Sequence, residues 1–550
     1  MAVRQINKGM KKLTFIFVAV ISLIAGTVYA QEKVYVSTDK DCYVAGEDLW
    51  YSLYCRDGAS GEYSHLSDVA YLQFISSDGV AALHKGALID GRGCGRFKIP
   101  LDLPTGNYMI VAYTAHYGGD AEGEYKGKVI SVFNTLVASK VKDGVVTLAE
   151  ASPVAGGGAA VKGIVVEAGK GDGKSVPVKV RNTSGAPVHV NVSVYHNDEL
   201  AKLSGSYNSL SLLCREGEFQ KVEGVEYAGE TVAVRVKGKK GESAAGKYVF
   251  MSGIGNTDDV YMAKVGNDGV ALLHTCSIMG RRDLVFEVAG DTSVAYNVEI
   301  MQKGYARSVV QIPLLGLDGQ MEKALKERGR RMQISRMFVP DTLFDMGKMK
   351  EKMFEGNTPR LVYNLDDYTR FQNLEETLRE YVKYARVRKD GEESKIKVIW
   401  EENGRPLVLL DGVPVNDHSA VLALDQHLVK QIAVYPVRYM LNHFMYDGIV
   451  SFITYKGDMG GIKLPKNMSV VEFDGVSWPL ALIGGKGDLW ESHPNFMSTI
   501  YWNPIVEIPA GGEFEFSCTL PQYKGEFNIV VEGVDQAWNE VYGTGGFEVK

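Results

Sequence analysis

Between Pro406 and Gly457 short apolar runs alternate with polar breaks, and the breaks carry the information. The run Leu407 to Leu410 stops at Asp411-Gly412 and resumes as Val413-Pro414-Val415. Asp-Gly between two apolar runs predicts a hairpin turn, because both residues tolerate positive φ. A second Asp-Gly, Asp447-Gly448, predicts another turn, launching the alternating strand Ile449 to Tyr455. Asp411, Gly412, Pro414, Asp447 and Gly448 are therefore read as structural keystones, with Trp502 as a further structural or interaction candidate.

The same patterning runs through the rest of the chain. From 32 to 137, short alternating strands recur at a spacing of roughly 8–12 residues, which predicts a β-sandwich. Val188, Val190, Val192 and Val194 alternate just after Pro187, and Glu230 to Val236 alternates again, with a hairpin turn expected at Asn267-Asp268-Gly269. Two patches have helical spacing. Met321, Leu325, Arg328 and Met332 fall on one face, with Asp318 as a candidate cap. Asn373-Leu374-Glu375-Glu376 forms a capping box ahead of Leu374, Leu378, Tyr381 and Val382.

Two of these regions resemble known families. Asp39-Lys40, Tyr43, Gly46-Glu47 and Trp50, closed by Leu103-Pro104-Thr105-Gly106-Asn107-Tyr108, resemble the second domain of macroglobulins, in the form seen in secreted multidomain proteins of Bacteroidetes bacteria. The order DGVPV hairpin, short helix, IAV strand, closing strand around 406–457 resembles the plug domain of TonB-dependent outer-membrane receptors. Asp366 to Phe371 resembles the segment that precedes this unit in the same Bacteroidetes proteins, and Ser498 to Pro504 the opening of their final sandwich. Fewer than a hundred residues follow Lys456. A 22-stranded barrel needs upwards of roughly 200 residues, so the expectation is a plug-like unit without its channel. The fold class implied is mainly β: tandem immunoglobulin-like or macroglobulin-like β-sandwiches with one small α+β plug-like domain. The expected division is a signal peptide at 1–30, a macroglobulin-like sandwich at 31–137, sandwiches at 138–225 and 226–312, a helical linker at 313–359, the plug-like domain at 360–460 and a C-terminal sandwich at 465–550.

Composition narrows the function classes. The 550 residues carry a formal net charge of −7, and no basic stripe with interleaved aromatics marks a nucleic-acid binder. Lys8, Lys11 and Lys12 precede the apolar run Leu13 to Gly26, and Val28-Tyr29-Ala30 offers a cleavage site before Gln31. This predicts export by a signal peptide, to the periplasm, the outer membrane or the cell surface, with no membrane span after cleavage. Six cysteines stand far apart, and Cys42 with Cys55 is the one close pair, open to a bridge or to two buried thiols.

Candidate chemistry is sparse. Ala168 to Ser175 fits a phosphate-loop pattern, but the strand-like Val176 to Val180 follows where a helix is required, so a glycine-rich hairpin is expected. Gly93-Cys94-Gly95 resembles a thioester site, but Arg96-Phe97 stand where the acylating glutamine belongs. His418, His427 and His443 lack metal-ligand spacing, and the pairs Asp366-Asp367 and Glu375-Glu376 suit helix starts. Trp478, Trp490, Trp502 and Trp538 crowd the last third and suit core or interdomain contacts better than sugar stacking. No catalytic, cofactor-binding or metal residue is assigned, and an enzyme is not expected. The expectation is a non-enzymatic cell-envelope binding or scaffold protein that engages an outer-membrane or surface protein. The alternatives are a macroglobulin-type protease inhibitor and an accessory subunit of TonB-dependent nutrient uptake.

Overall fold

A computed structural model describes residues 32–116, 124–136, 145–147, 162–204, 212–215, 226–255, 259–276, 278–301, 312–317, 321–338, 345–346, 359, 361–391, 393–398, 404–441, 444–482 and 495–550. The expected signal peptide, Asp318, His443 and Trp490 lie outside them. The chain forms two compact units, one of 1–220, 305–347 and 478–550, the other of 221–304 and 348–477. Among the described residues no helix is long and apolar enough to cross a membrane.

In the first unit, strands Glu32–Thr38, Asp48–Asp57 and Arg92–Lys98 form one sheet of a sandwich. Its other sheet is built on Val69–Ser76, Gly79–Ala87, Gly106–Tyr113 and Glu124–Phe133, with Cys42–Val44 parallel to the last. Alternation sends Leu49, Tyr51, Leu53 and Cys55 into the core beside Phe74, Ile110 and Ile130. The opposite face of the same strand is buried too: Trp50 packs on Trp502, and the Tyr54 hydroxyl donates to the Pro504 carbonyl at 3.2 Å.

The second sandwich of this unit departs from the expected division. Strands from 162–196 and from 499–549 build one sandwich, not two. Ser175–Asn182 pairs with Glu513–Thr519, and Val188–His196 lies between Thr499–Ile508 and Gly525–Asp535. The reason is burial on both faces of Val188–His196. Val188, Val190, Val192 and Val194 fill the sandwich core, while the Asn191 amide donates to the Ser37 hydroxyl at 2.7 Å and the Ser193 hydroxyl to the Asp39 carbonyl at 2.5 Å. Neither segment holds enough strands to cover such a strand alone. Glycine-rich 169–173 is a hairpin link between Ile164–Ala168 and Ser175–Asn182, as expected. The Met321–Phe338 helix, expected in a linker, is docked: Met321 packs with Cys42, Val44, Phe133 and Leu200, and Arg328 is buried.

In the second unit, Thr231–Gly238, Val270–His274 and Tyr296–Ile300 face a sheet of Val260–Lys264, Tyr248–Gly253, Arg281–Val288 and Met468–Asp474. Met468–Asp474, expected in the C-terminal sandwich, is thus an edge strand here, registered against Arg281–Glu287. The Asn267-Asp268-Gly269 turn is tight, with Gly269 at φ 79°, but it joins strands of opposite sheets and is not a hairpin. Between these segments lies an α+β body. Its sheet has the order Leu361–Asn364, Val429–Leu441, Phe444–Thr454, Leu407–Leu410, Val413–Pro414. The short helix Leu374–Glu380 is capped as predicted, the Asn373 side chain accepting from Glu376 N at 2.9 Å. Leu374, Leu378 and Val382 enter a core shared with Ile432, Val450, Phe452 and Val285, the last from the sandwich of the same unit.

Candidate functional site

In the first unit, the segment Asp39 to Trp50 folds into a buried polar cluster. Trp50 N donates to Asp39 Oδ1 at 3.0 Å, and the Tyr43 hydroxyl lies 2.7 Å from that oxygen. Lys40 Nζ donates to Asp39 Oδ2 at 3.0 Å and to Thr499 Oγ1 at 3.2 Å, and lies 4.3 Å from the centre of the Tyr43 ring. Gly46 turns the chain at φ 93°, where a Cβ would also stand 2.8 Å from Arg336 Nη2. Glu47 then points inward and accepts from Val44 N at 3.1 Å.

Helical spacing brings the counter-charge. Arg328 grips Glu47 with both arms, Nε to Oε1 at 2.9 Å and Nη2 to Oε2 at 3.0 Å. Its Nη2 also donates to the Cys42 carbonyl at 2.5 Å, and Nη1 lies 3.3 Å from Asp198 Oδ1. The Arg328 side chain is only 3% exposed. Burial pushes the Glu47 and Asp198 carboxyls up, but Arg328 outweighs it, with Lys40 beside Glu47 and His196 beside Asp198, and both are held below the ordinary carboxylate range. Burial raises the pKa of Asp48, which Arg96 at 3.5 Å only partly offsets.

These groups floor a pocket of about 210 Å³. Arg331, Met332, Ser335 and Arg336 of the same helix line it, with Arg96 and Lys98 from the first sandwich and Trp50 and Phe496 as apolar wall. The pocket brings cations together around Glu47 and Asp198, which Arg328 pairs, and Asp48, whose buried Oδ1 has no hydrogen-bond partner among the described residues. Among the described residues no group of three or more His, Cys, Asp or Glu side chains could hold a metal ion.

The keystones named from sequence lie in the second unit, apart from Trp502. Asp411 at φ 48° and Gly412 at φ 81° form the turn between Leu410 and Val413, a two-residue turn with positive φ at both positions, and Pro414 is buried opposite Leu409. The Asp411 carboxylate accepts from Thr454 N at 2.7 Å, Thr454 Oγ1 at 2.6 Å and Met459 N at 2.8 Å. Asp447-Gly448 is not a turn. It lies inside strand Phe444–Thr454 opposite a bulge, where the register slips between Tyr435 and Arg438. Gly448 sits there at φ 98° with Val398 against it, and Asp447 accepts from Arg438 Nε at 3.1 Å. Trp502 is fully buried against Trp50.

The other candidates resolve into structure. Cys94 is buried in the Arg92–Lys98 strand, its thiol pushed up to about 12 by burial. Its neighbours are glycine because a Cβ on Gly93 would meet the Ala87 carbonyl at 2.4 Å, and one on Gly95 the Tyr51 hydroxyl at 2.4 Å. Cys42 and Cys55 are separate buried thiols. His418 accepts from Ile396 N at 3.0 Å while His427 pairs with exposed Asp425, so they share no site. Trp538 donates to the Gly61 carbonyl at 2.6 Å, linking the two sandwiches of the first unit. The pocket residues His196, Asp198, Arg331, Ser335 and Arg336 were not singled out in the sequence. The signal that finds them is the helix face of Arg328, read together with Glu47.

No family model matches the chain, and no curated protein does. Solved structures do. The native conformation of Escherichia coli alpha-2-macroglobulin is 10% identical over 95% of this chain and 40% of its own, with a TM-score of 0.23. Salmonella alpha-2-macroglobulin reacted with methylamine is 7% identical over 94% of this chain and 39% of its own, with a TM-score of 0.21. The Escherichia coli adhesin FdeC is 15% identical over 52% of this chain and 64% of its own, with a TM-score of 0.15. The chain thus spans about two fifths of the macroglobulins it matches.

Proposed function

We propose that this is a non-enzymatic binding and scaffold protein of the cell envelope, exported by its leader, that engages an outer-membrane or surface protein through the α+β body of its second unit. The hairpin Val429–Leu441/Phe444–Thr454 carries the reading. Near its tip Met440 stands directly opposite Met445, and the two are 62% and 55% exposed. The inward face of the same hairpin, Leu441 and Tyr446, is buried with Leu407, Ile449, Val260 and Met262. A cross-strand methionine pair on a rigidly backed hairpin is an adaptable apolar contact surface. The hairpin at Asp411-Gly412, the short helix His418–Leu422 and the two long strands follow one another in the plug-like order within one body, which supports the resemblance read from sequence. Asp411, Glu47 and Arg328 are consumed in structural hydrogen bonds, which suits a scaffold.

The test is capture from an outer-membrane extract by the tagged chain and by a Met440→Glu/Met445→Glu variant. Both positions are exposed, so the variant is expected to fold. The expected result is one barrel or surface protein retained by the wild type and lost about tenfold by the variant. Equal retention, or none by either, overturns the reading.

A further inference from the structure

We propose that the pocket of the first unit binds a small organic phosphate or sulfate, holding its tetrahedral oxyanion between the Met321–Phe338 helix and the Arg92–Lys98 strand. Two of the pocket's carboxylates, Glu47 and Asp198, are held by Arg328; Asp48 meets Arg96 through Oδ2 at 3.5 Å, and its buried Oδ1 has no hydrogen-bond partner among the described residues. Lys40 is satisfied by Asp39, and Arg331 reaches the exposed Glu327 with Nη2 at 3.1 Å. That leaves Lys98 and Arg336 lining the pocket with no carboxylate at ion-pair distance among the described residues. The Arg336 fork is steadied by the Gly46 carbonyl, to which Nη2 donates at 2.8 Å.

A second observation points the same way. Ser335 is 9% exposed and its hydroxyl has no hydrogen-bond partner among the described residues; nor does the buried Arg331 Nε. A buried donor left unpaired costs about 1–3 kcal/mol, so two lining one pocket call for an acceptor. Arg331 and Ser335 stand four residues apart on the helix, hence on one face and one turn apart. With Lys98 and Arg336 they supply four donors from two elements. A tetrahedral oxyanion presents its oxygens in several directions to donors that come from two elements, whereas a carboxylate confines its two oxygens and their lone pairs to one plane. Phe496 and Met497, both half-buried in the wall, provide apolar surface for the organic body. A bound cation is disfavoured because Arg96, Lys98, Arg331 and Arg336 line the pocket while Glu47 and Asp198 are already paired with Arg328.

The experiment is calorimetric titration of the full chain at low ionic strength with phenyl phosphate, phenyl sulfate and inorganic phosphate. Saturable binding is expected, with phenyl phosphate or phenyl sulfate tighter than inorganic phosphate. Whichever aryl ester binds better identifies the source of the oxyanion. Arg336→Gln, at an exposed position, and Ser335→Ala are each expected to weaken binding about tenfold, and Lys326→Gln, a neutral change at an exposed helix position, to leave it unchanged. No heat with any probe up to about 10 mM, or equal affinity in all variants, overturns the proposal. The site lies in the first unit and its test does not touch Met440 or Met445, so its failure is separate from that of the proposed envelope partner.

Discussion

Asp411→Ala is expected to destabilise the second unit by about 3–5 kcal/mol. The side chain is fully buried and its two oxygens accept three hydrogen bonds, two of them from the backbone N–H groups of Thr454 and Met459. Alanine removes the acceptor and leaves those N–H groups buried without partners. It also has to hold φ 48°, which costs roughly 1 kcal/mol for a residue with a Cβ and no local side-chain hydrogen bond. The loss spreads, because Thr454 Oγ1, which donates to Asp411, accepts from Gly457 N at 2.9 Å. Asp411→Asn keeps the turn preference and one acceptor oxygen, so it should cost less. Amide hydrogen exchange over 449–461 reads the effect locally, which matters in a chain of two units whose unfolding need not be two-state. Protection lost in the order alanine more than asparagine is the expected result; wild-type protection in the alanine variant contradicts it.

Arg328→Met is expected to cost the first unit about 3–5 kcal/mol near neutral pH, because it strands Glu47 and Asp198 as buried charges. The pH dependence gives the sign. Both carboxyls are depressed in the folded protein, so their contribution is complete above the ordinary carboxylate range, near pH 4, and is lost as pH falls through their folded values. Without the guanidinium, burial pushes both carboxyls up, and protonation on acidification relieves the strain. The variant's deficit should therefore shrink between about pH 7 and pH 4. Hydrogen exchange over 42–50 and 321–338 at the two pH values measures it. A deficit that stays constant or grows on acidification would show that Arg328 acts through packing alone.

What the sequence made legible was local, and what it hid was long-range. Asp411-Gly412 was readable because a two-residue hairpin turn demands positive φ twice, and few residues comply. The identical dipeptide at 447–448 misled, since positive φ serves a bulge equally well; what separates the two is the register slip across the sheet at Tyr435 and Arg438. The helix cap at Asn373 was readable for the same local reason. The sandwich boundaries were not, because the strands that complete them are far away in sequence: Lys179 meets Glu513 across 334 residues. Alternation shows that a strand has a buried face without showing which strand covers it. The pocket was half visible. The Asp39 to Trp50 motif was read as a resemblance, and Arg328 as one more helical position. Only their meeting shows why a charged residue sits at an apolar spacing.

The most direct test of the account places a photo-crosslinking amino acid at Met440 or Met445 of the tagged chain in its native cell, followed by mass spectrometry of the outer-membrane and soluble fractions. The account predicts crosslinks from these positions to one outer-membrane or surface protein. Recovery of the chain alone in the soluble fraction, with no crosslinked protein at either position, would contradict it.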